Sequence, residues 1–361
     1  MPDSPLDRRS FLSAAASPAV PGLLVSDRVA IFDPPPDHIR IATISRSYAA
    51  PAVTYSPEDV RQITSQGKNI ELIVTQSAEE LDKVLPDVDV VFGAVTPAML
   101  PKAGKLRWMQ HTEAGVDTVL FPELVRSPIV ITNMARMFAP GISETAISML
   151  LALTRGLSKF YIPQFAKHQY KAERNLVEVD GLTMGVVGMG GIGQAVAMRA
   201  HYGFNMRILA TDAKPMTKPL FVDALREPGW FMEMAPQVDI LVGTAPLTKD
   251  TRHMFDEKVF RSMKKTAYFL ALSRGGLTDQ TALVQALKEG WIAGAGLDVT
   301  DPEPLPADNP LWDCPNLVIT CHTAGFSPQR RIRQMGLMAE NVRRYAHGLP
   351  LLNVVDKARG Y

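Results

Sequence analysis

Residues Thr183-Met184-Gly185-Val186-Val187-Gly188-Met189-Gly190-Gly191-Ile192-Gly193 leave the chain few folds to choose from. An apolar, strand-like run passes directly into a helical one, and glycines fall at 188, 190 and 193. In such a junction the first glycine permits a tight turn. The second lets a phosphate approach bare backbone, and the third lets helix and strand pack closely. The helix N-terminus adds unpaired N–H groups and partial positive charge. A spaced glycine set is weak alone, but here a helix (Gln194–His201) and an apolar strand ending at Asp212 follow it. A carboxylate at that point suits ribose hydroxyls. The stretch therefore predicts a βαβ unit that binds a dinucleotide. Asp212 would repel a 2′-phosphate, which favours NAD; Lys214 nearby keeps NADP as the lesser alternative.

The rest of the chain alternates in the same way. Strands are expected at Ile39–Ile44, Ile70–Val74, Val88–Phe92, Arg107–Gln110 and Ile129–Thr132. A helical pattern follows from Gly141 to Gln169, with Ile142, Ala146, Met149, Leu150 and Leu153 at helical spacing. A second set of strands is expected at Thr183–Val187, Arg207–Thr211, Asp239–Gly243, Ala267–Ala271, Ile292–Leu297 and Leu317–Thr320, and a last helix at Pro328–Ala346. Strands alternating with helices predict parallel sheets covered on both faces. About forty residues follow His322, too few for a third domain. They are expected to return to the first unit. The predicted class is α/β: two Rossmann-like, doubly wound parallel-sheet domains. One is discontinuous (residues 39–134 and 323–361), and the other, the dinucleotide-binding domain (135–322), is inserted into it.

Composition narrows the function by exclusion. The 361 residues are 46% hydrophobic and 21% charged, enough for two ordinary cores, and the formal net charge is +1. A near-neutral chain lacks the concentrated basic surface of a nucleic-acid binder. No apolar run is long enough for a typical membrane span. Two cysteines, Cys314 and Cys321, make neither a disulfide framework nor a zinc cluster. The N-terminus is unusual. Asp7-Arg8-Arg9-Ser10-Phe11-Leu12-Ser13, then an alanine-rich, weakly apolar stretch, resembles a twin-arginine export signal without a clear cleavage site. Residues 1–38 therefore read as a signal-like tail and linker, with a periplasmic location expected and a cytoplasmic one as the alternative.

Three segments beyond predicted strands of the inserted domain carry reactive side chains: Ser273-Arg274-Gly275-Gly276, Asp298 to Leu305, and Thr320 to Gly325. In open α/β sheets, ligands bind beyond the carboxyl ends of the strands. Reducing a 2-keto acid needs a cation for the carboxylate and carbonyl, and Arg274 has the planar fork for it. It needs a proton donor near neutral pKa, and His322 qualifies. A carboxylate beside the histidine, such as Glu303, would favour imidazolium and fix the ring.

Together with Gly115-Val116-Asp117, the Glu144-bearing helix, Ala245-Pro246-Leu247-Thr248 with Thr251, and Asn353-Val354-Val355-Asp356, these motifs give a dispersed but ordered match. The chain resembles the D-isomer-specific 2-hydroxyacid dehydrogenases over nearly everything after Ile39. The resemblance implies hydride transfer between NAD(H) and a small 2-hydroxy or 2-keto acid, of the glyoxylate or hydroxypyruvate kind, in a cleft between the domains. The discontinuous domain would hold the substrate. Arg274 would bind substrate, His322 would be the acid/base with Glu303 as partner, and Asp298 would hold the nicotinamide carboxamide. Backbone at Ala114, Gly115 and Val116 would bind the substrate carboxylate. Cofactor contacts would come from Gly188, Gly190, Gly191, Ile192, Gly193, Asp212, Ala245, Pro246, Thr251, Leu272, Ser273, Arg274, Asp298, His322, Ala324 and Gly325. A homodimer paired through the inserted domain is also implied.

The chain departs from the family habit of proline before the histidine, having Cys321 there. Arg136 is expected near the cleft, as a surface or interdomain arginine, with a second substrate contact as the lesser alternative. Trp108, His111 and Phe326 are candidate cleft walls. The alternative reading is an NAD(H)-sensing interaction protein of corepressor type, without metabolic turnover.

Overall fold

The computed structural model describes residues 37–44 and 55–361. The Arg8-Arg9 segment lies outside them. The expected α/β class is what the chain adopts: two all-parallel sheets, each wound on both sides. Strands β1 (Ile39–Ile44), β2 (Ile70–Thr75), β3 (Val90–Phe92), β4 (Trp108–Gln110) and β5 (Val130–Thr132) form a five-stranded sheet in the order β2-β1-β3-β4-β5. Strands β6 (Thr183–Val187), β7 (Arg207–Thr211), β8 (Ala224–Arg226), β9 (Ile240–Gly243), β10 (Tyr268–Ala271), β11 (Gly294–Leu297) and β12 (Leu317–Ile319) form the second, in the order β12-β11-β10-β9-β6-β7-β8. Register in the centre pairs Val186 with Ala210 on one side and with Val242 on the other. Every residue of β6, β9, β10 and β11 is buried, the pattern of strands covered on both faces. The chain leaves β6 toward β7, then returns to the far side at β9. The dinucleotide crevice of such a sheet opens at that reversal.

Helix α1 (Pro57–Thr64) starts in a capping box, in which Ser56 Oγ accepts from Asp59 N and Asp59 accepts from Ser56 N. Helix α2 (Ala139–Thr154) packs across β11, where Met149 Sδ lies 3.0 Å from the position a Cβ would take on Gly296. Helix α3 (Gly191–Phe204) follows the glycine turn, and helix α4 (Pro328–Ala346) closes the chain's return to the first sheet. Two expectations need correction. The helix foreseen to Gln169 ends at Thr154, because Gly156 turns left-handed at φ 71°. A five-residue turn (Leu157–Tyr161) and a short helix (Ile162–Ala166) follow instead. Strand β8 was not foreseen; it is a three-residue edge strand too short to show a period. Several strands also begin one or two residues later than the apolar runs.

The first sheet is completed only by the returning chain. Met335, Met338, Val342 and Tyr345 form one buried face of α4, and Tyr345 packs on Trp108 with ring centres 5.5 Å apart. Val354 bridges Thr132 in antiparallel fashion, and Val355 N donates to Ile131 O at 2.8 Å. Beneath this contact runs a buried polar chain. Trp108 Nε1 donates to Thr132 Oγ1 (2.8 Å), which donates to Gln110 Oε1 (2.8 Å). Asn341 Nδ2 donates to the same Gln110 oxygen (3.0 Å), and Asn341 Oδ1 accepts from Leu352 N (2.8 Å). Gln110, Thr132 and Asn341 are fully enclosed, so each unmade bond would cost more than each made bond contributes. Asn341→Leu should therefore destabilise the protein by about 2–4 kcal/mol, as two buried partners lose their bonds. Urea denaturation of the variant checks this; an unchanged midpoint would remove the network from the account.

Candidate active site

The glycine junction has the shape of a phosphate cradle. Gly188 sits at φ 97°, and a Cβ there would lie 2.7 Å from Ala245 N, so only glycine lets β6 and β9 end side by side. A Cβ on Gly193 would lie 2.1 Å from Gly188 O, which fixes how closely α3 approaches the turn. On Gly190 a Cβ would meet nothing within 4 Å, so bare backbone there faces open space. Thr244 Oγ1 donates to Gly188 O at 2.7 Å and holds the turn from β9. Asp212 Oδ2 accepts from Met189 N (2.7 Å) and Oδ1 from Lys214 N (2.7 Å), so the acid is pinned at the rim of the same cradle. These residues fit a dinucleotide: open backbone for the pyrophosphate, and a fixed carboxylate for ribose hydroxyls. Arg136 backs onto this turn, its Cγ 2.6 Å from a Cβ placed on Gly191.

The loop after β4 carries Ala114, Gly115 and Val116. Arg274, after β10, crosses to it. Its Nη2 would lie 1.7 Å from a Cβ on Gly115, so the arginine rests where any side chain would stand. Arg274 Nε donates to Asp117 Oδ1 (3.1 Å) and Nη1 to Ser273 O (2.8 Å), which fixes the plane of the guanidinium. His111 is buried, and its ring Nε2 lies 3.1 Å from Gly115 O, so it props the loop from below. Trp108 is enclosed in the core and Phe326 is exposed beneath the Arg330 guanidinium; of the three candidate walls, only Phe326 faces solvent.

After β12, His322 Nδ1–H donates to Glu303 Oε2 at 2.7 Å. Glu303 Oε1 accepts from Thr300 N at 2.9 Å, so the acid is oriented from its own loop. The Glu303 hydrogen bond holds His322 above the ordinary imidazole value against its partial burial, and the charge of Arg274 opposes that rise. Burial would raise the Glu303 carboxyl, but bonds from His322 and Thr300 N hold it below the usual range. The pairing thus favours imidazolium and carboxylate, and among the described residues His322 Nε2 has no hydrogen-bond partner.

Asp298 stands beneath this turn, 2% exposed. Its Oδ1 accepts from Thr320 Oγ1 (2.5 Å), Thr323 N (3.1 Å) and Ala324 N (3.2 Å). Burial pushes its carboxyl up, and these donors pull against the rise. His322 has φ 54°, and its N–H donates to Asp298 O at 2.8 Å. Most of the Asp298 acceptor capacity thus goes to shaping the 320–324 turn that presents His322. Leu272 is buried after β10, and Gly325 packs on Phe138. Pro246 O accepts from Thr251 Oγ1 at 2.7 Å, so Thr251 braces the loop after β9. Three contributors were not foreseen in these roles: Asp117 as the partner of Arg274, Thr300 as the anchor of Glu303, and Glu113 in the electrostatic surroundings of Arg274 and His322. Asp117 stood in a noted motif, but nothing local tells that its partner lies 157 residues away.

Comparison with known proteins agrees with this fold. The profile of the D-isomer specific 2-hydroxyacid dehydrogenase NAD binding domain matches residues 147–324. A glyoxylate reductase of Korarchaeum cryptofilum is 34% identical over 278 residues, covering 75% of this chain and 82% of that protein. A D-isomer specific 2-hydroxyacid dehydrogenase family protein from Aeromonas salmonicida superposes with a TM-score of 0.75 at 27% identity, over 89% of this chain and 99% of the other. An NADPH-dependent glyoxylate/hydroxypyruvate reductase of Sinorhizobium meliloti, solved with NADP and sulfate, shares the fold at a TM-score of 0.73 and 24% identity, over 90% of this chain and 100% of that one. The carboxylate-bound arginine, the His322–Glu303 pair and the glycine cradle thus stand in a chain that belongs to the D-isomer specific 2-hydroxyacid dehydrogenase family.

Proposed function

We propose that the protein reduces a small 2-keto acid of the glyoxylate or hydroxypyruvate kind to the D-2-hydroxy acid, using NADH. The observation that carries this reading is Arg274, locked by Asp117 against the Gly115 backbone, within electrostatic reach of the His322–Glu303 pair. Relatives named glyoxylate reductase support a small substrate. A nicotinamide dinucleotide, when bound, supplies the hydride. The chain's own residues do the rest. The Arg274 fork and the N–H groups near Gly115 and Val116 hold the substrate carboxylate, and Arg274 polarises the carbonyl. His322 delivers a proton from Nε2 to the carbonyl oxygen, and Glu303 stabilises the imidazolium before transfer. Asp212, held by two backbone N–H groups, gives the preference for NADH, because a 2′-phosphate would stand against its charge.

The test is a kinetic panel with glyoxylate, hydroxypyruvate and pyruvate, each with NADH and with NADPH. Turnover with NADH in preference to NADPH is expected. His322→Ala should lower kcat by about 10²–10⁴-fold while NADH affinity stays within about threefold. Near-normal turnover in that variant would remove His322 from its role.

Glu303 raises the His322 pKa, so the protonated form required for reduction persists to higher pH in the wild type. In Glu303→Gln the fall of kcat/KM with rising pH should therefore begin at lower pH. A pH–rate profile in the reductive direction decides it, and coincident profiles would contradict the pairing.

We place a dimer contact on the segment from Leu157 to Tyr170, where Leu157 (46% exposed), Ile162 (64%) and Phe165 (84%) stand open to solvent. Export through the Arg8-Arg9 segment is part of the same proposal, with the cofactor carried inside the folded protein. Light scattering on material released from the periplasm should give a dimer that contains nicotinamide. A monomer, or a protein confined to the cytoplasm, would refute the respective part.

A further inference from the structure

Among the described residues, Glu113 is an acid close to Arg274 and His322 that the mechanism leaves without work. Its backbone is fixed on three sides. Thr112 O accepts from Gln334 Nε2 (3.1 Å), Glu113 O from Met134 N (3.0 Å), and Ala114 O from Asn133 Nδ2 (2.6 Å). The loop backbone that carries the side chain is therefore held in place. It precedes by one residue the Ala114–Gly115 backbone on which Arg274 rests. Three positive or titratable groups from separate elements share its surroundings: Arg330 in the first turn of α4, Arg274 after β10, and His322 after β12. Burial pushes the Glu113 carboxyl up, and those three groups pull it back. Among the described residues none of them reaches it, and its carboxylate has no hydrogen-bond or ion-pair partner.

A half-buried carboxylate without a protein donor is left to water or to a ligand, and a ligand that displaces the water must supply a donor or leave it stranded. Next to the loop that takes the substrate carboxylate, the group free to do so is the remainder of the substrate. We propose that Glu113 is a specificity residue that accepts a hydrogen bond from a hydroxyl on C3 of the keto acid. The assignment rests on the reductase reading given above. Its chemistry is simple: a C3 hydroxyl gives the carboxylate the donor it lacks, whereas an apolar group strands it without water. Sites built to bond a hydroxyl discriminate strongly against analogues that lack one.

The experiment compares kcat/KM for hydroxypyruvate with kcat/KM for glyoxylate, which has no C3, in the wild type, Glu113→Leu and Glu113→Gln. The ratio within each protein is independent of the fraction of active enzyme. It should fall by at least about fivefold in Glu113→Leu, and in the same direction but less steeply in Glu113→Gln, which keeps an acceptor oxygen. A smaller fall in Glu113→Leu overturns the assignment. If that variant does not bind NADH, Glu113→Gln decides, and an unchanged ratio overturns the assignment. A wild type that reduces no keto acid defeats the reductase reading and the assignment with it. A wild type that reduces both substrates, with a ratio the variants do not alter, defeats the assignment alone.

Discussion

The cleft depends on one contact between its two halves, the seat of Arg274 on Gly115 with Asp117 at its side. Both side chains of the ion pair are partly open to solvent (28% and 26%), and pairs of that kind contribute about 0–1 kcal/mol. Its value is therefore geometric. A guanidinium has a fixed plane, and two of its nitrogens are held by Asp117 and Ser273. The remaining edge lies along backbone that only glycine leaves bare. An arginine from one sheet is thereby aimed by a residue of the other.

His322 is aimed by different means. A left-handed backbone on a residue with a side chain costs about 1–3 kcal/mol and persists only where its surroundings impose it. Here the imposing group is Asp298, whose buried carboxylate gathers Thr320, Thr323 and Ala324 into the turn. The substitution of Cys321 for the family's usual proline falls inside that turn. Rigidity that a proline ring would lend at residue 321 is met instead by hydrogen bonds to Asp298 on either side of it. The turn can thus present His322 to Glu303 without relying on the residue between Thr320 and His322.

Much of this was legible in the chain. The glycine spacing and Asp212 marked the cradle because their chemistry is local: a turn, a helix start and the end of the next strand. Arg274, Glu303 and His322 could be grouped because each follows a strand of one parallel sheet, and such strands end on one side. What stayed hidden was long-range or depended on a single torsion. The end of α2 at Gly156 is a matter of one φ angle within an unbroken apolar pattern. Trp108 has the composition of a pocket wall, but the buried bond to Thr132 Oγ1 assigns it to the core. Glu113 carries no signal at all in sequence, since an acid in a polar loop ordinarily faces water.

The return of α4 to the first sheet also orders events in time. The second sheet, residues 183–319, can be assembled from one continuous piece of chain. The first cannot. Its α1 is joined to α4 by the Arg331–Asp59 pair, 272 residues apart. Lys357 Nζ donates to the carbonyls of Leu124, Ser127 and Ile129 from the last few residues of the chain. During synthesis these contacts of the first five strands can therefore form only after almost the whole polypeptide has emerged. A second sheet that folds first would shorten that wait. Once compact, it draws the two distant ends together and spares them most of the entropy of closing so long a loop.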